Sequence, residues 1–255
     1  MEQVKVIAIT QARVGSTRLP RKVLLPLGDE TLLGVHLKRL SQAKSVDKCI
    51  VATTDEEESQ SIINIAKSKG FSTFQGQLND VLDRFYQAAL LHEPTHVVRV
   101  TSDCPLIDPE LIDSIVKQAI NEGHDYFSNT LIEDFPDGQD VEVFTFKALE
   151  KAWNTAKTNT EREHVTPYIR NNSTFKGGSL FKSADYSAPE NYNRVRMTVD
   201  EAIDLEVMQW LVEELGADKD WLTYTKFILA NQYQLDNTHI LRNEGYLKSL
   251  ENEFE

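Results

Sequence analysis

Val4-Lys5-Val6-Ile7-Ala8-Ile9-Thr10 is followed without a break by Gln11-Ala12-Arg13-Val14-Gly15-Ser16-Thr17-Arg18-Leu19-Pro20-Arg21-Lys22. The first stretch, apolar and rich in β-branched residues, reads as a strand. The second carries four cations in ten residues of a chain that is otherwise acidic. Gly15 lets backbone come close to a ligand, Ser16 and Thr17 offer hydroxyls, and Pro20 stiffens the exit. Backbone N–H groups, guanidinium forks and an ammonium together suit a polyphosphate. A solvated basic loop has the same composition, but a place directly after a strand favours the phosphate reading, because open α/β sheets bind ligands at their carboxyl ends. The GxxxxGK[ST] pattern of P-loop NTPases is absent.

Working outward, strand and helix signals alternate. Helical spacing covers Thr31–Ala43, Glu57–Lys69 (closed by Gly70), Asp80–His92 and Pro109–Asn121, the last with Asp108 as N-cap. Strands are expected at Lys48–Thr54, Phe71–Gln75 and His96–Thr101. This alternation predicts βαβ units and a doubly wound, mostly parallel α/β sheet. The second half is looser. Strands are expected at Asp125–Asn129, Asp140–Phe146 and Arg194–Val199, helices at Lys147–Ala156, Glu161–Arg170 and from Glu201 onward. No repeat or linker interrupts the 255 residues, so we expect one domain, with a nucleotide-binding half over about 1–130 and an acceptor lobe with C-terminal helices over about 131–255.

The composition narrows the function. A net charge of −13 argues against nucleic-acid or anionic-membrane partners, which need a basic face. No apolar run approaches the ~18–20 residues of a membrane span. Cys49 and Cys104 form no disulfide framework or metal spacing, and Met1–Ile9 is no signal peptide. A cytoplasmic location is therefore expected. An acidic protein that binds a polyanion must gather its cations locally and use a metal to offset the rest.

Arg13-x-Gly-Ser-Thr-Arg-Leu-Pro-x-Lys22 resembles the signature loop of the CMP-sugar synthetases, which include the CMP-Kdo and CMP-sialic acid cytidylyltransferases. The closer resemblance is to their relative, the spore coat polysaccharide biosynthesis protein F family, and it runs from at least Val4 to Leu205. It implies a nucleotide-diphospho-sugar transferase fold with a smaller substrate lobe. It also implies CTP phosphates cradled by the loop through Arg13, Ser16 and Lys22, with Gln11, Gly15 and Thr17 beside them.

Two carboxylates stand at expected strand ends: Asp103, in Thr101-Ser102-Asp103-Cys104-Pro105, and Asp200, in Arg196-Met197-Thr198-Val199-Asp200. Mg²⁺ takes one or two carboxylates plus phosphate oxygens and water. Either Asp also makes a good helix N-cap, the more so for Asp200, which a helix follows. The resemblance assigns both as metal ligands. It further places Arg84, in Asp80-Val81-Leu82-Asp83-Arg84-Phe85, near the cytosine or its ribose, where an ion pair with Asp80 is the structural alternative. In Asp137-Gly138-Gln139-Asp140-Val141-Glu142 and Glu161-Arg162-Glu163-His164, it implies an acceptor-sugar pocket from Asp140, Glu142, Arg162 and His164. Arg162 would meet a sugar carboxylate and His164 a hydroxyl, unless this is a solvated helix face.

The implied reaction is attack of a sugar hydroxyl on the α-phosphorus of CTP with release of pyrophosphate, for surface polysaccharide or glycoconjugate synthesis. Arg13, Lys22, Asp103 and Asp200 are the expected catalytic group. The partners are CTP and an acidic, ulosonic-type sugar, the cofactor is Mg²⁺, and a homodimer is expected. No dedicated general base is evident. A metal-dependent glycosyltransferase of the same fold is the alternative, but Ser102-Asp103-Cys104 lacks the second Asp of an Asp-x-Asp motif. A sugar-1-phosphate nucleotidyltransferase using another NTP would want a GxGxRL-type loop, which is missing.

Overall fold

The computed structural model describes residues 3–231 and 237–253. The elements in chain order are β1 (Val6–Gln11), β2 (Pro26–Leu27), β3 (Glu30–Thr31), α1 (Leu32–Leu40), β4 (Lys48–Thr54), α2 (Gln60–Ser68), β5 (Ser72–Gly76) and α3 (Val81–Leu90). There follow β6 (His96–Thr101), α4 (Pro109–Glu122), β7 (Tyr126–Ser128), β8 (Glu142–Thr145), α5 (Phe146–Thr155), α6 (Asn159–His164), α7 (Pro167–Asn171) and β9 (Ser183–Asp185). The helices α8 (Ala202–Leu215), α9 (Trp221–Ala230) and α10 (Glu244–Asn252) end the chain.

Seven strands form one sheet in the order β5-β4-β1-β6-β8-β7-β9. Only β8 runs against the others. The sheet is thus mostly parallel and flanked by helices on both faces, as expected. Burial explains why: Val6 and Ala8 enter one core with Leu33, Leu37, Ile62 and Ile115, while Ile7 and Ile9 enter another with Leu82, Phe85 and Leu149. A strand apolar on both faces belongs in the middle of a parallel sheet. From β1 the chain runs outward to β4 and β5, then crosses back to β6 on the other side. The winding therefore reverses between β1 and β6, whose last residues, Gln11 and Thr101, are register partners. This reversal is where open α/β sheets bind ligands.

Local chemistry sets the helix starts. Asp108 accepts hydrogen bonds from the backbone of Glu110 and Leu111, with Pro109 in the first turn of α4 and Gly123 closing it in the left-handed conformation. A capping box of Thr158 and Glu161 opens α6.

Two expectations for the second half need correction. Arg194–Val199 is extended but is no strand of the sheet; its one bridge is between Asp137 and Arg196. The alternation there is real, since Val195, Met197 and Val199 bury into a third core with Val207, Met208 and Leu211 of α8. Packing on a helix supplies the period of two without a ladder. Glu161–Arg170 is not one helix either. Val165 takes φ +70°, costly for a β-branched residue, and divides α6 from α7. Pro167 then begins α7 at its first position, where no backbone N–H is needed.

Candidate active site

A cleft of about 860 Å³ opens over the carboxyl ends of β1 and β6, within the range of small-molecule sites. One wall is the Arg13–Lys22 loop. Residues 13–18 donate no backbone hydrogen bond within the described structure, leaving a row of N–H groups for an anion. The loop closes on itself instead through Arg21 N to Val14 O (3.2 Å) and Leu19 N to the Ser16 hydroxyl (3.3 Å). No atom lies within 4 Å of where a Cβ on Gly15 would stand, so packing makes no demand for glycine there. Arg13 is exposed and makes no ion pair among the described residues. Gln11 Oε1 is buried in the same cleft without a hydrogen-bond partner.

At the floor, the Lys22 ammonium lies between Asp103 Oδ2 (3.0 Å) and Asp200 Oδ1 (2.8 Å) and also donates to Val199 O (2.9 Å). Neither aspartate is a cap. Glu201 caps α8 in a box with Asp204, which accepts from the backbone N–H groups of Asp200 and Glu201, so the Asp200 carboxylate is left to face cations. Those are Lys22, Arg18 (3.0 Å) and Arg196 (3.2 Å). Asp103 turns away from α4, whose N-terminus Asp108 serves. Burial works against the Asp103 charge, but the Lys22 ammonium and the Thr101 hydroxyl hold its carboxyl well below the usual range. Burial likewise opposes the Lys22 charge, which Asp103 and Asp200 raise above its ordinary pKa. Beneath this turn, buried His36 contacts Cys104 O (2.9 Å) and the Thr10 hydroxyl (3.0 Å). The carbonyl can only accept, so Nδ1 carries the proton and Nε2 accepts from Thr10.

Among the described residues no three His, Cys, Asp or Glu side chains converge as a metal site. Asp103 and Asp200 nonetheless fit a hard divalent cation, because one cationic atom already sits within 3.0 Å of an oxygen from each. Substrate phosphate oxygens and water would complete such a shell.

The far side of the cleft is a network of paired charges. Gly138, at φ +104°, lets the 137–140 loop lie so close to Met197 that a Cβ would stand 2.5 Å from its carbonyl carbon. Arg196 thereby reaches Asp137 (2.5 Å), and its other nitrogens hold Asp204 (2.9 and 3.0 Å). Asp140 pairs with Arg242 at 2.6 Å. Burial and the neighbouring Asp140 push the Asp137 carboxyl up to about 7, against Arg242 and Arg196. Glu142 takes the Tyr126 and Thr166 hydroxyls at 2.6 Å each and pairs with Arg99. Burial opposes its charge, yet Arg99 and those hydroxyls keep its carboxyl low.

The sequence-expected residues thus divide. Gln11, Arg13, Gly15, Ser16, Thr17, Lys22, Arg84, Asp103, Asp140, Glu142, His164 and Asp200 all line the cleft. Arg84, expected near the base or in a pair with Asp80, donates to the carbonyls of Gln77 and Leu78 and so shapes the wall. Arg162 does not line the cleft: its guanidinium is held by Asp80 (2.6 Å) and Trp153 O (3.2 Å), tying α6 to α3. His164 contacts the Ser249 hydroxyl at 3.0 Å, and burial with the Arg99 charge pushes its pKa down to about 4. Sequence reasoning missed Arg18, Arg99, Arg170, Arg196, Arg242 and Tyr246, all lining the cleft. Arg196 sits within one of the two aspartate-bearing segments already singled out and Arg99 two residues before the other, a signal that was available.

A doubly wound sheet with a cation-rich loop and two aspartates bridged by a lysine at its switch point is the arrangement of a nucleotide-handling transferase. The family model for cytidylyltransferases matches residues 7–233, and the chain belongs to that family; it is a nucleotidyltransferase. It is 43% identical over 207 residues to an uncharacterised protein of Methanocaldococcus jannaschii, covering 80% of this chain and 81% of that one. To a spore coat polysaccharide biosynthesis protein of Bacillus subtilis it is 34% identical over 222 residues, covering 84% and 89%. The solved structure of a cytidylyltransferase from Leptospira borgpetersenii superposes with a TM-score of 0.86 at 34% identity, covering 94% of this chain and all of that one. No helix among the described residues is long and apolar enough to cross a membrane.

Proposed function

We propose that the protein transfers CMP from CTP to an acidic sugar, in a reaction that depends on Mg²⁺ and feeds polysaccharide synthesis. The observation that carries this reading is the Lys22 ammonium shared between Asp103 and Asp200, directly below a loop with unused N–H groups. Arg13 and the N–H groups of residues 13–18 bind the β- and γ-phosphates, and Lys22 moves from the aspartates to the bridging oxygen. Asp103 and Asp200 hold the divalent cation, which when bound neutralises charge on the phosphates. The acceptor hydroxyl forms a bond to the α-phosphorus as the α–β phosphoanhydride bond breaks, and pyrophosphate leaves. Alignment and charge neutralisation suffice for such a transfer. The hydroxyl proton passes to the Asp137–Asp140 side of the cleft, where burial raises both carboxyls.

For the acceptor, the residue we assign to the carboxylate is Arg170 rather than Arg162. Arg170 lines the cleft with its guanidinium over the Tyr246 ring at 4.9 Å, whereas Arg162 is committed to Asp80. The polysaccharide role rests on the named role of the Bacillus subtilis relative. The test is pyrophosphate release with each of the four NTPs against a panel of acidic and neutral sugars, with Mg²⁺ and with EDTA. Turnover confined to CTP, an acidic sugar and added metal is expected. Turnover with a neutral sugar 1-phosphate would remove the acidic acceptor and leave the phosphate loop standing.

A further inference from the structure

The C-terminal helix α10 forms one wall of the cleft, although the family match ends at residue 233 and α10 lies beyond it. Its attachment differs from that of the other long helices. No described side chain of α10 is buried, and its N-cap, Asn243, is left-handed and makes no side-chain cap. Leu247 is 47% exposed. What holds α10 is polar and lies within the site. Glu244 pairs with Arg18 of the phosphate loop (2.8 Å), and Ser249 meets His164 (3.0 Å) and Glu163 (3.2 Å). The Tyr246 ring is edge-on to His164 at 5.2 Å and lies under Arg170 at 4.9 Å. An element with no fully buried apolar side chain, fastened by polar bonds that are exposed or part-buried, is one that opens at low cost.

We propose that α10 is a movable wall of the acceptor subsite, and that Glu244 holds on Arg18 the place a nucleotide phosphate takes. The inference rests on reading Arg13–Lys22 as the triphosphate loop. Arg18 has two partners, Asp200 and Glu244, both carboxylates. An arriving triphosphate offers the same guanidinium a stronger anion and repels Glu244. Its entry therefore loosens one N-terminal tether of α10, while Arg242 on Asp140 and Asn243 on Glu133 stay as its hinge. The acceptor then enters past Tyr246 and settles against Arg170 and His164. The chemical logic is an exchange of anions on one arginine: phosphate displaces carboxylate, and the wall moves with the carboxylate.

The test uses the full chain. Glu244→Gln removes the competing charge at nearly constant size, and since Glu244 makes only solvent-accessible pairs with Arg18 and Lys248 the variant is expected to melt with the wild type. CTP and CMP affinities are measured by calorimetry without acceptor. Glu244→Gln is expected to bind CTP about two- to fivefold more tightly, the worth of an ion pair this exposed, with CMP nearly unchanged. In the wild type, CTP is expected to lower hydrogen-exchange protection over residues 244–252. Tyr246→Ala is expected to raise the acceptor KM and leave the CTP KM alone. CTP affinity unchanged or weakened in Glu244→Gln, or protection of α10 unaltered by CTP, would overturn the proposal. A wild type that binds CTP no better than CMP would instead remove the triphosphate-loop reading itself, so the two failures are distinct.

Discussion

Replacing Lys22 with alanine should destabilise the protein in a way that depends on pH and on metal. Lys22 is 14% exposed and donates three bonds of 2.8–3.0 Å. After its removal Asp200 keeps Arg18 and Arg196, but no other cation pairs with Asp103 among the described residues. Stranding one buried charge costs about 3–5 kcal/mol. The 28% exposure of Asp103 admits solvent and sets the figure near the low end, about 3 kcal/mol. For a chain of this size that lowers Tm by roughly 6–12 °C. In the wild type the Asp103 carboxyl is held low, so its contribution is present above the ordinary carboxylate pKa and lost as pH falls. Without Lys22 burial outweighs the remaining hydrogen bond from the Thr101 hydroxyl, the carboxyl rises, and stability is lost as pH rises through it. The gap between the two proteins is therefore widest near pH 7 and narrows towards pH 4. Thermal melts from pH 4 to 8 measure it, and Mg²⁺ without nucleotide should recover more stability in Lys22→Ala than it adds to the wild type. A Tm deficit equal at both pH values and indifferent to Mg²⁺ would refute the reasoning.

Arg13→Ala should weaken CTP about ten- to a hundredfold and CMP much less, because charge-assisted contacts to the outer phosphates are worth roughly 1.5–3 kcal/mol; equal weakening by calorimetry would contradict the assignment. Gly138→Ala forces a Cβ to within 2.5 Å of Met197 at a backbone angle that disfavours alanine, so Tm and turnover should both fall. An unchanged melt would show that the 137–140 loop yields easily. Burial pushes the His36 pKa down to about 4, with weaker help from Arg39, against its contact with Cys104 O and the Asp103 charge. The unfolded chain then binds more protons between about pH 4 and 6.5. Stability should fall across that window as pH drops, and His36→Asn should flatten that limb of the pH–Tm curve; a limb of unchanged slope would place the titration elsewhere.

The parallel half of the sheet was legible because burial on both faces leaves unmistakable apolar runs: Lys48–Thr54 and His96–Thr101 have the bounds the sequence suggested. Asp108 with Pro109 likewise announced a helix by local chemistry alone. Where pattern misled, one side of a residue had been mistaken for a partner. The alternation of Val195, Met197 and Val199 reports burial against α8, and period two cannot distinguish that from a ladder. Arg162 lies outside the cleft for a related reason. A helical reading of Glu161–Arg170 assigns Arg162 and Arg170 by one continuous phase, but the break at Val165 resets it. Arg162 consequently faces α3 while Arg170 enters the cleft. That the Arg13–Lys22 loop and the two aspartates lie at the cleft was easier to read, since their residue types and their places after apolar segments are both local.

Least legible were the partners of the cations, which come from far along the chain: Arg18 meets Glu244, and Arg242 meets Asp140. These pairings explain how a chain of net charge −13 can receive a triphosphate. Arg18, Lys22, Arg99, Arg196 and Arg242 are each neutralised by carboxylates in the nucleotide-free protein. Cations so placed raise no self-repulsion while they wait, and their geometry is already set. A phosphate that takes Arg18 and Lys22 leaves Asp103 with no cation among the described residues, Asp200 with Arg196 alone and Glu244 with Lys248 alone, and a stranded carboxylate is costly. On the proposed reading, a divalent cation entering with the nucleotide would remove that cost at the two aspartates, and Glu244 would carry Lys248 with it as α10 moves. Metal and triphosphate must then assist each other's binding by the same factor, as linkage requires. CMP, which lacks the outer phosphates, leaves the lysine in place and has far less to gain from the metal.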